Sequence, residues 1–447
     1  MNFSLRIICI SMTLWTGVGA LTGWAADFRT NIGGRTLVRS REHSSSSVPV
    51  SMVMEPVAFE EASVLEISPN YQETRFLSEE LRHSAGCAEC DSCNTGCNAC
   101  CGGLWFNAEL LYWGIEGQQA PILAATGANA LAAAQTPTVL FGGGSLEDQW
   151  RAGGRAELGL WMTAQQNWAL RGTFFSLSES STDYAIDSNS IGLIARPFTD
   201  GPASVGGIGP DAFVVSEAAN NITGGISISN DANLIGGDVS IVRPWLAWPT
   251  RRVNLVYGYQ FSRFDETLGI TTSTNDPAIG SIFLEDLFDA ENEYHAGHIG
   301  VEGEYHYGRW SLETRLKFAF GSMRQRVNIS GSTITRDLGG ATSSAGSGLF
   351  AQTTNVGEYE QNEFAFMNET GIRLAYRPAR RLKMTLGYTF MFWSSIARPA
   401  EQIDTTVDAR LLGGGPILGA TPTRPAFGFD TGGMVVHGLN AGLEYRF

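Results

Sequence analysis

The stretch RWSLETRLKFAFG, Arg309–Gly321, decides how this chain folds. Trp310, Leu312, Leu316, Phe318 and Phe320 share one parity, while Glu313, Arg315 and Lys317 share the other. In extended chain successive side chains point to opposite faces, so this spacing separates an apolar face from a charged one. Strands of soluble sandwiches also alternate, but they average about five or six residues and hide the apolar side. This stretch runs longer, and its apolar face is rich in large aromatics. A strand crossing a bilayer needs ~9–11 residues, with lipid on one face and a polar lumen on the other.

The same pattern recurs in LWFNAELLYW (Leu104–Trp113), GGRAELGLWM (Gly153–Met162), WALRGTFFSL (Trp168–Leu177) and RVNLVYGYQFSRF (Arg252–Phe264). It continues in AGHIGVEGEYHYG (Ala296–Gly308), RLKMTLGYTFMFW (Arg381–Trp393) and VVHGLNAGLEYRF (Val435–Phe447). Short turns follow every second strand: Thr163–Asn167, Trp248–Arg252, His306–Arg309 and Arg377–Arg381. Connections of about 30 to 60 residues follow the others. Strict short/long alternation predicts an all-β, antiparallel, up-and-down transmembrane barrel with short periplasmic turns and long outer loops. The parity gives about ten strands and puts both ends on the periplasmic side; a hairpin within Glu179–Gly236 would make twelve.

The polar faces collect the candidate pore-lining residues: Glu109, Arg155, Glu157, Arg171, Gln260, Glu302, Glu304, Glu313, Arg315, Lys317, Glu369, Arg373, Lys383, Asn440, Glu444 and Arg446. Aromatics near strand ends are expected at the two water–lipid interfaces: Trp105, Trp113, Trp161, Trp168, Trp245, Trp310, Trp393, Tyr445 and Phe447. A final Phe447 behind Leu443 and Tyr445 resembles the C-terminal signal recognised by the bacterial barrel-assembly machinery. That machinery and outer-membrane lipid are the expected partners.

Composition agrees with this class. Of 447 residues only 17% are charged, 11% are aromatic and 53 are glycine, whereas soluble domains average about 25% charged. A formal net charge of −15 argues against a nucleic-acid partner. Residues 1–25 read as a cleaved export signal: Arg6, an apolar run from Ile7 to Ala20, and Gly23-Trp24-Ala25 before the cut. No segment offers ~18 consecutive apolar residues, so no membrane-spanning helix is expected. Residues 26–102 are polar and aperiodic and read as a flexible periplasmic segment; residues 103–447 form the barrel.

That segment ends in GCAECDSCNTGCNACC, Gly86–Cys101, with Cys87, Cys90, Cys93, Cys97, Cys100 and Cys101. The first four follow the C-x2-C-x2-C-x3-C spacing of bacterial ferredoxins. Asn98 replaces the proline that follows in that run, and the stretch emerges in an oxidising compartment. The six are therefore read as a disulfide staple or a cross-link to disulfide-linked partners, with zinc as the alternative and no metal or cofactor assigned.

Several strings resemble the β-barrel porin family described from planctomycete bacteria. They are GLWFNAELLYW with Glu109, TVLFGGGSLEDQWRAGGRAELGLWM with Val139–Gly143, Arg151, Gly153, Gly154 and Arg155, and NWALRGTFFSL opening on Trp168. The likeness is sharpest over Gly103–Leu177 and implies a porin of the cell outer membrane. The expected function is narrow passive passage of small solutes or ions. A structural or surface-display barrel with an ion-paired, plugged lumen is the alternative. A hydrolase at the outer rim, built on His295, His298 and the acidic run Glu285–Tyr294, is a third; G-x-S-x-G, H-E-x-x-H and Walker motifs are absent. No catalytic residue is assigned.

Overall fold

The computed structural model describes residues 103–146, 149–163, 165–201, 209–412, 419 and 421–447. The expected export signal, residues 26–102 and all six candidate disulfide cysteines lie outside them.

Ten strands make the wall: β1 Leu104–Ile115, β2 Trp150–Trp161, β3 Ala169–Leu177, β4 Thr223–Trp248, β5 Arg251–Asp276, β6 Gly280–Tyr307, β7 Trp310–Arg336, β8 Gly357–Ala379, β9 Leu382–Ala397 and β10 Thr431–Arg446. Each pairs antiparallel with the next, and β10 returns to β1 from Trp105↔Arg446 to Ile115↔Val436. Closure leaves no unpaired edge in the spanning band, which a bilayer requires because lipid cannot hydrogen-bond the backbone. The twelve-strand alternative fails. Within Glu179–Gly236, Leu193–Asp200 and Gly209–Glu217 pair in a separate sheet, and Ser180–Asp187 pairs only with the upper part of β4.

At one end the hairpins are tight. Only Pro249 and Thr250 separate β4 from β5, and Gly308 and Arg309 separate β6 from β7. Gly308 sits at φ +61, a turn conformation that a side chain would strain. The other end is uneven. β4 to β8 run 23 to 28 residues, against 9 to 12 for β1 to β3. Since ~9–11 residues cross the bilayer, one side of the wall continues far beyond the lipid.

The apolar stripe changes face along these tall strands. On β7 the outward Trp310, Leu312, Leu316, Phe318 and Phe320 are exposed, and beyond them the inward Met323, Val327 and Ile329 are buried. On β5 the change falls between Phe261 and Phe264; on β6 it falls between Ile299 and Tyr294. Below the change the outside must suit lipid; above it the outside meets water and the inside becomes a core. Just above it the outward face carries ion pairs, Arg263 to Asp265 at 2.8 Å, Arg324 to Glu360 at 2.8 Å and Arg326 to Glu358 at 3.0 Å.

That upper core is closed by the long loops. Ile122–Thr126, Thr138–Gly142, Leu193–Asp200, Gly209–Glu217 and Thr406–Val407 form a five-stranded sheet. Leu123, Ile194, Phe198 and Val215 pack there with Ile226 and Ile228 of β4, Leu268 and Ile270 of β5, Phe288 of β6 and Val327 of β7. Each such side chain contributes about 1.5–3 kcal/mol on burial. One fully buried ion pair pins the cap to the wall: Arg196 Nη2 lies 2.7 Å from Asp286 Oδ2, whose other oxygen accepts from the Phe350 and Ala351 amides.

Four of the nine expected interface aromatics do not face lipid. Trp113 is 0% exposed and Trp393 is 1% exposed, both inside the barrel. Trp105 and Trp161 also lie on inward parity, 5.8 Å apart at the short-turn end. Their parity is that of Asn107, Glu157 and Lys383, so position near a strand end was the wrong guide. Trp168, Trp245, Trp310, Tyr445 and Phe447 do face outward.

Candidate functional site

The lumen is the site this wall builds, and it is filled in layers. The lowest layer, near the short turns, is ionic. Arg315 of β7 lies 2.8 Å from Glu302 on β6, 3.5 Å from Glu369 on β8 and 3.4 Å from Glu157 on β2. Since β2 stands opposite β7 in the ring, that last contact crosses the whole lumen. Arg373 of β8 reaches Glu109 on β1 at 2.6 Å and Glu313 at 3.2 Å. Arg171 of β3 reaches Glu302 at 2.9 Å, Arg155 reaches Glu109 at 3.5 Å and Lys317 reaches Glu369 at 2.8 Å. Lys383 bridges Glu313 at 2.7 Å and Glu444.

Fourteen of the sixteen sequence-selected polar residues are buried or half-buried here with Arg446 at the mouth, paired to Glu444 at 2.8 Å, and Gln260 above, donating to Met367 Sδ. Glu304 is held by Arg377 at 3.1 Å and His306 at 3.3 Å. Asp238 of β4, which is not among the sequence-selected residues, pairs with Lys317 at 3.2 Å and accepts from Ser240.

Above the ions lies an apolar layer contributed by nine strands, including Leu111, Trp113, Phe175, Phe264, Tyr294, Met367, Met391, Trp393 and Met434. The few polar atoms in it are engaged: Trp113 Nε1 donates to Asn440 at 3.0 Å, Trp393 Nε1 to Ser262 at 3.3 Å, and Tyr294 Oη to the Ala319 carbonyl at 2.8 Å. Arg155 lies 5.0 Å over the Trp113 ring, joining the ionic layer to the apolar one. A third, polar layer follows. Glu266 accepts from Arg398 Nε at 2.9 Å and from Gln118 Nε2 at 3.1 Å, all buried. The cap core closes the lumen above that.

The rim residues considered for hydrolysis are not brought together. His295 faces outward against Tyr259 Oη at 2.5 Å, whereas His298 points into the lumen, 3.1 Å from Ser240 Oγ. Asp286 is buried inside while Asp289, Glu291 and Glu293 take the opposite parity. Among the described residues no group of three or more His, Cys, Asp or Glu side chains could hold a metal ion.

Residues 105–447 match the family Putative beta barrel porin-7 (BBP7). The chain belongs to that family. The match covers the whole ring of strands, so the barrel described above is the BBP7 fold in this chain, and its class is that of outer-membrane barrels. No curated protein matches the sequence. Among solved structures, the outer membrane protease OmpT from Escherichia coli is 12% identical, with 77% of this chain and 97% of that one covered and a TM-score of 0.35. The CymD monoaromatic hydrocarbon channel is 8% identical over 77% and 88%, TM-score 0.26. The toluene transporter TodX of P. putida is 10% identical over 77% and 89%, TM-score 0.22.

Proposed function

We propose that this BBP7 chain stands in the outer membrane with short turns in the periplasm and cap outside, and that it works as a closed-lumen scaffold displaying its folded outer loops. The observation that carries this reading is the contact between Arg315 and Glu157 on opposite strands, beneath a continuous apolar layer. An aqueous path needs wider barrels; about eight strands enclose only side chains, and sixteen to eighteen leave a channel. The cysteines before β1 would then sit in the periplasm as a cross-link. The split of His295 from His298 across the wall speaks against the hydrolase reading. Single-channel recording in a planar bilayer tests the proposal: no conductance steps are expected, and large porin-like steps would overturn it.

A second reading, narrow passage of small ions or solutes, is favoured by a cavity of ≈ 170 Å³ within the ionic layer. Passage then requires the apolar layer above to part. Small, voltage-dependent steps in the same recording would favour it.

A further inference from the structure

The two rims of the barrel carry opposite charge patterns. Toward the long loops, Arg263, Arg324 and Arg326 are meshed with five carboxylates of β5, β6 and β8, so each of these cations is answered. The short-turn rim is the reverse. Arg251 opens β5, Arg309 stands in the β6–β7 turn, and Arg380 and Arg381 make the β8–β9 turn. All four are exposed, and none forms an ion pair among the described residues. The carboxylates at this end, Glu304, Glu313 and Glu444, point into the lumen and are taken by Arg377, Lys383 and Arg446. No Asp or Glu among the described residues of this rim is exposed.

In a chain of net charge −15, cations gathered at one end without counter-charges call for a partner. Two backbone contacts crowd them further: the Arg309 carbonyl accepts from the Arg377 amide at 2.8 Å, and the Arg381 carbonyl accepts from the Arg446 amide at 2.9 Å. Like charges side by side on a sheet weaken it unless something negative lies close.

The neighbours of these arginines say what the partner is. Arg251 is paired across the ladder with Trp248 and Tyr305, and its guanidinium lies 5.5 Å over the Tyr305 ring. Arg309 stands between Tyr307 and Trp310, and Arg381 precedes Leu382, whose ladder partner is Tyr445. Trp248, Tyr305, Tyr307, Trp310 and Tyr445 are exposed on the outer face. Such rings settle at the level of lipid headgroups, so guanidinium groups beside them stand among phosphates. An arginine fork matches phosphate oxygens, and its stem can lie along apolar surface while the head stays in the polar layer. The turns are spread around the ring, so each takes its own headgroup and no single ligand has to bridge them.

We propose that the short-turn rim is a collar that gathers anionic phospholipid, with headgroup phosphates held by Arg251, Arg309, Arg380 and Arg381. The collar needs only that the barrel spans a bilayer. It stands whether the lumen is closed or conducts, and its test has no conductance readout.

The full chain is reconstituted in phosphatidylcholine bilayers, and electron spin resonance compares spin-labelled phosphatidylglycerol with spin-labelled phosphatidylcholine at its surface. A lipid touching one arginine should be favoured about fivefold. Averaged over both leaflets, the preference for phosphatidylglycerol should be about twofold or more, and salt at about 1 M should remove it. Replacing all four arginines by Gln should bring the ratio to about one. Arg336→Gln, at the far tip of β7, should leave it unchanged. Thermal melting of each variant checks that the barrel is intact. A wild-type ratio near one, or the wild-type ratio in the folded fourfold variant, overturns the proposal. In the first case, binding of soluble polyglutamate through the same arginines would assign the rim to an acidic protein segment instead.

Discussion

Replacing Arg315 by Met tests whether the ion pairs that cross the lumen are shielded from bulk water. The guanidinium serves three carboxylates at 2.8, 3.4 and 3.5 Å, with its own side chain 11% exposed. Each carboxylate keeps another partner: Glu302 keeps Arg171 at 2.9 Å, Glu369 keeps Lys317 at 2.8 Å and Arg155 at 3.9 Å, and Glu157 keeps the Trp105 Nε1 donor at 3.1 Å. Breaking a buried pair outright costs about 3–5 kcal/mol, because the charge left behind stays desolvated. Three half-deprived carboxylates should together cost about 3 kcal/mol, roughly a hundredfold in the folding equilibrium. Arg326 supplies the contrast. It touches three glutamates on the outer surface at 36% exposure, and Arg326→Met should cost only about 0–1 kcal/mol. Denaturant unfolding of the barrel in lipid vesicles, followed by tryptophan fluorescence, reads both. A double-mutant cycle of Arg315→Met with Glu157→Gln should show coupling above about 1 kcal/mol although the residues sit on opposite strands. If Arg315→Met costs no more than Arg326→Met, or the coupling vanishes, bulk water screens the crossing pairs and the closed-lumen argument fails.

Three other outcomes are expected. Trp113→Ala combined with Trp393→Ala empties the centre of the apolar layer and should turn a silent barrel into one with discrete conductance steps, read in a planar bilayer. Arg196→Met leaves Asp286 buried with only amide donors and a lost counter-charge, so the cap should become protease-sensitive while the melting of the ten-strand barrel is unchanged. Burial raises the Glu401 carboxyl above its ordinary 4.5. Its ionisation therefore disfavours the folded cap, and that handicap is present at neutral pH, fades as pH falls from the raised value to the ordinary one and is gone below it. Glu401→Gln should accordingly raise the cap's melting temperature at pH 7 and make no difference near pH 3.

The barrel was legible because lipid imposes a period-two code on one face of every crossing, and Trp310 to Phe320 shows it without interruption. The charged lumen followed from the same code, since Glu109, Arg155, Glu313 and Lys383 occupy the complementary parity. Upper β4 was not legible. Between Thr223 and Gly237 its apolar residues, Ile226, Ile228 and Leu234, stand on the inward face, are sparse, and alternate with Ser and Asn as loops do. Their meaning depends on Leu268 and Phe288 of other strands and on a cap assembled from three separate loops, contacts that no local pattern encodes. Trp113 and Trp393 were misplaced for a different reason. Tryptophan is common at membrane interfaces, but the parity of these two strands turns both indoles into the lumen.

The exchange of faces along β5, β6 and β7 makes each strand its own ruler. On β7 the outward apolar run ends at Phe320 while the inward one, from Ala319 through Met323 to Val327, begins beside it, so the water boundary is written into the strand near Phe320. Inserting one residue at that point would force a bulge or expose the entire upper core stripe; inserting two would preserve both faces and only lengthen the span. The barrel's depth in the membrane is thus set by arithmetic along the chain, and membranes of different thickness should select insertions in even numbers.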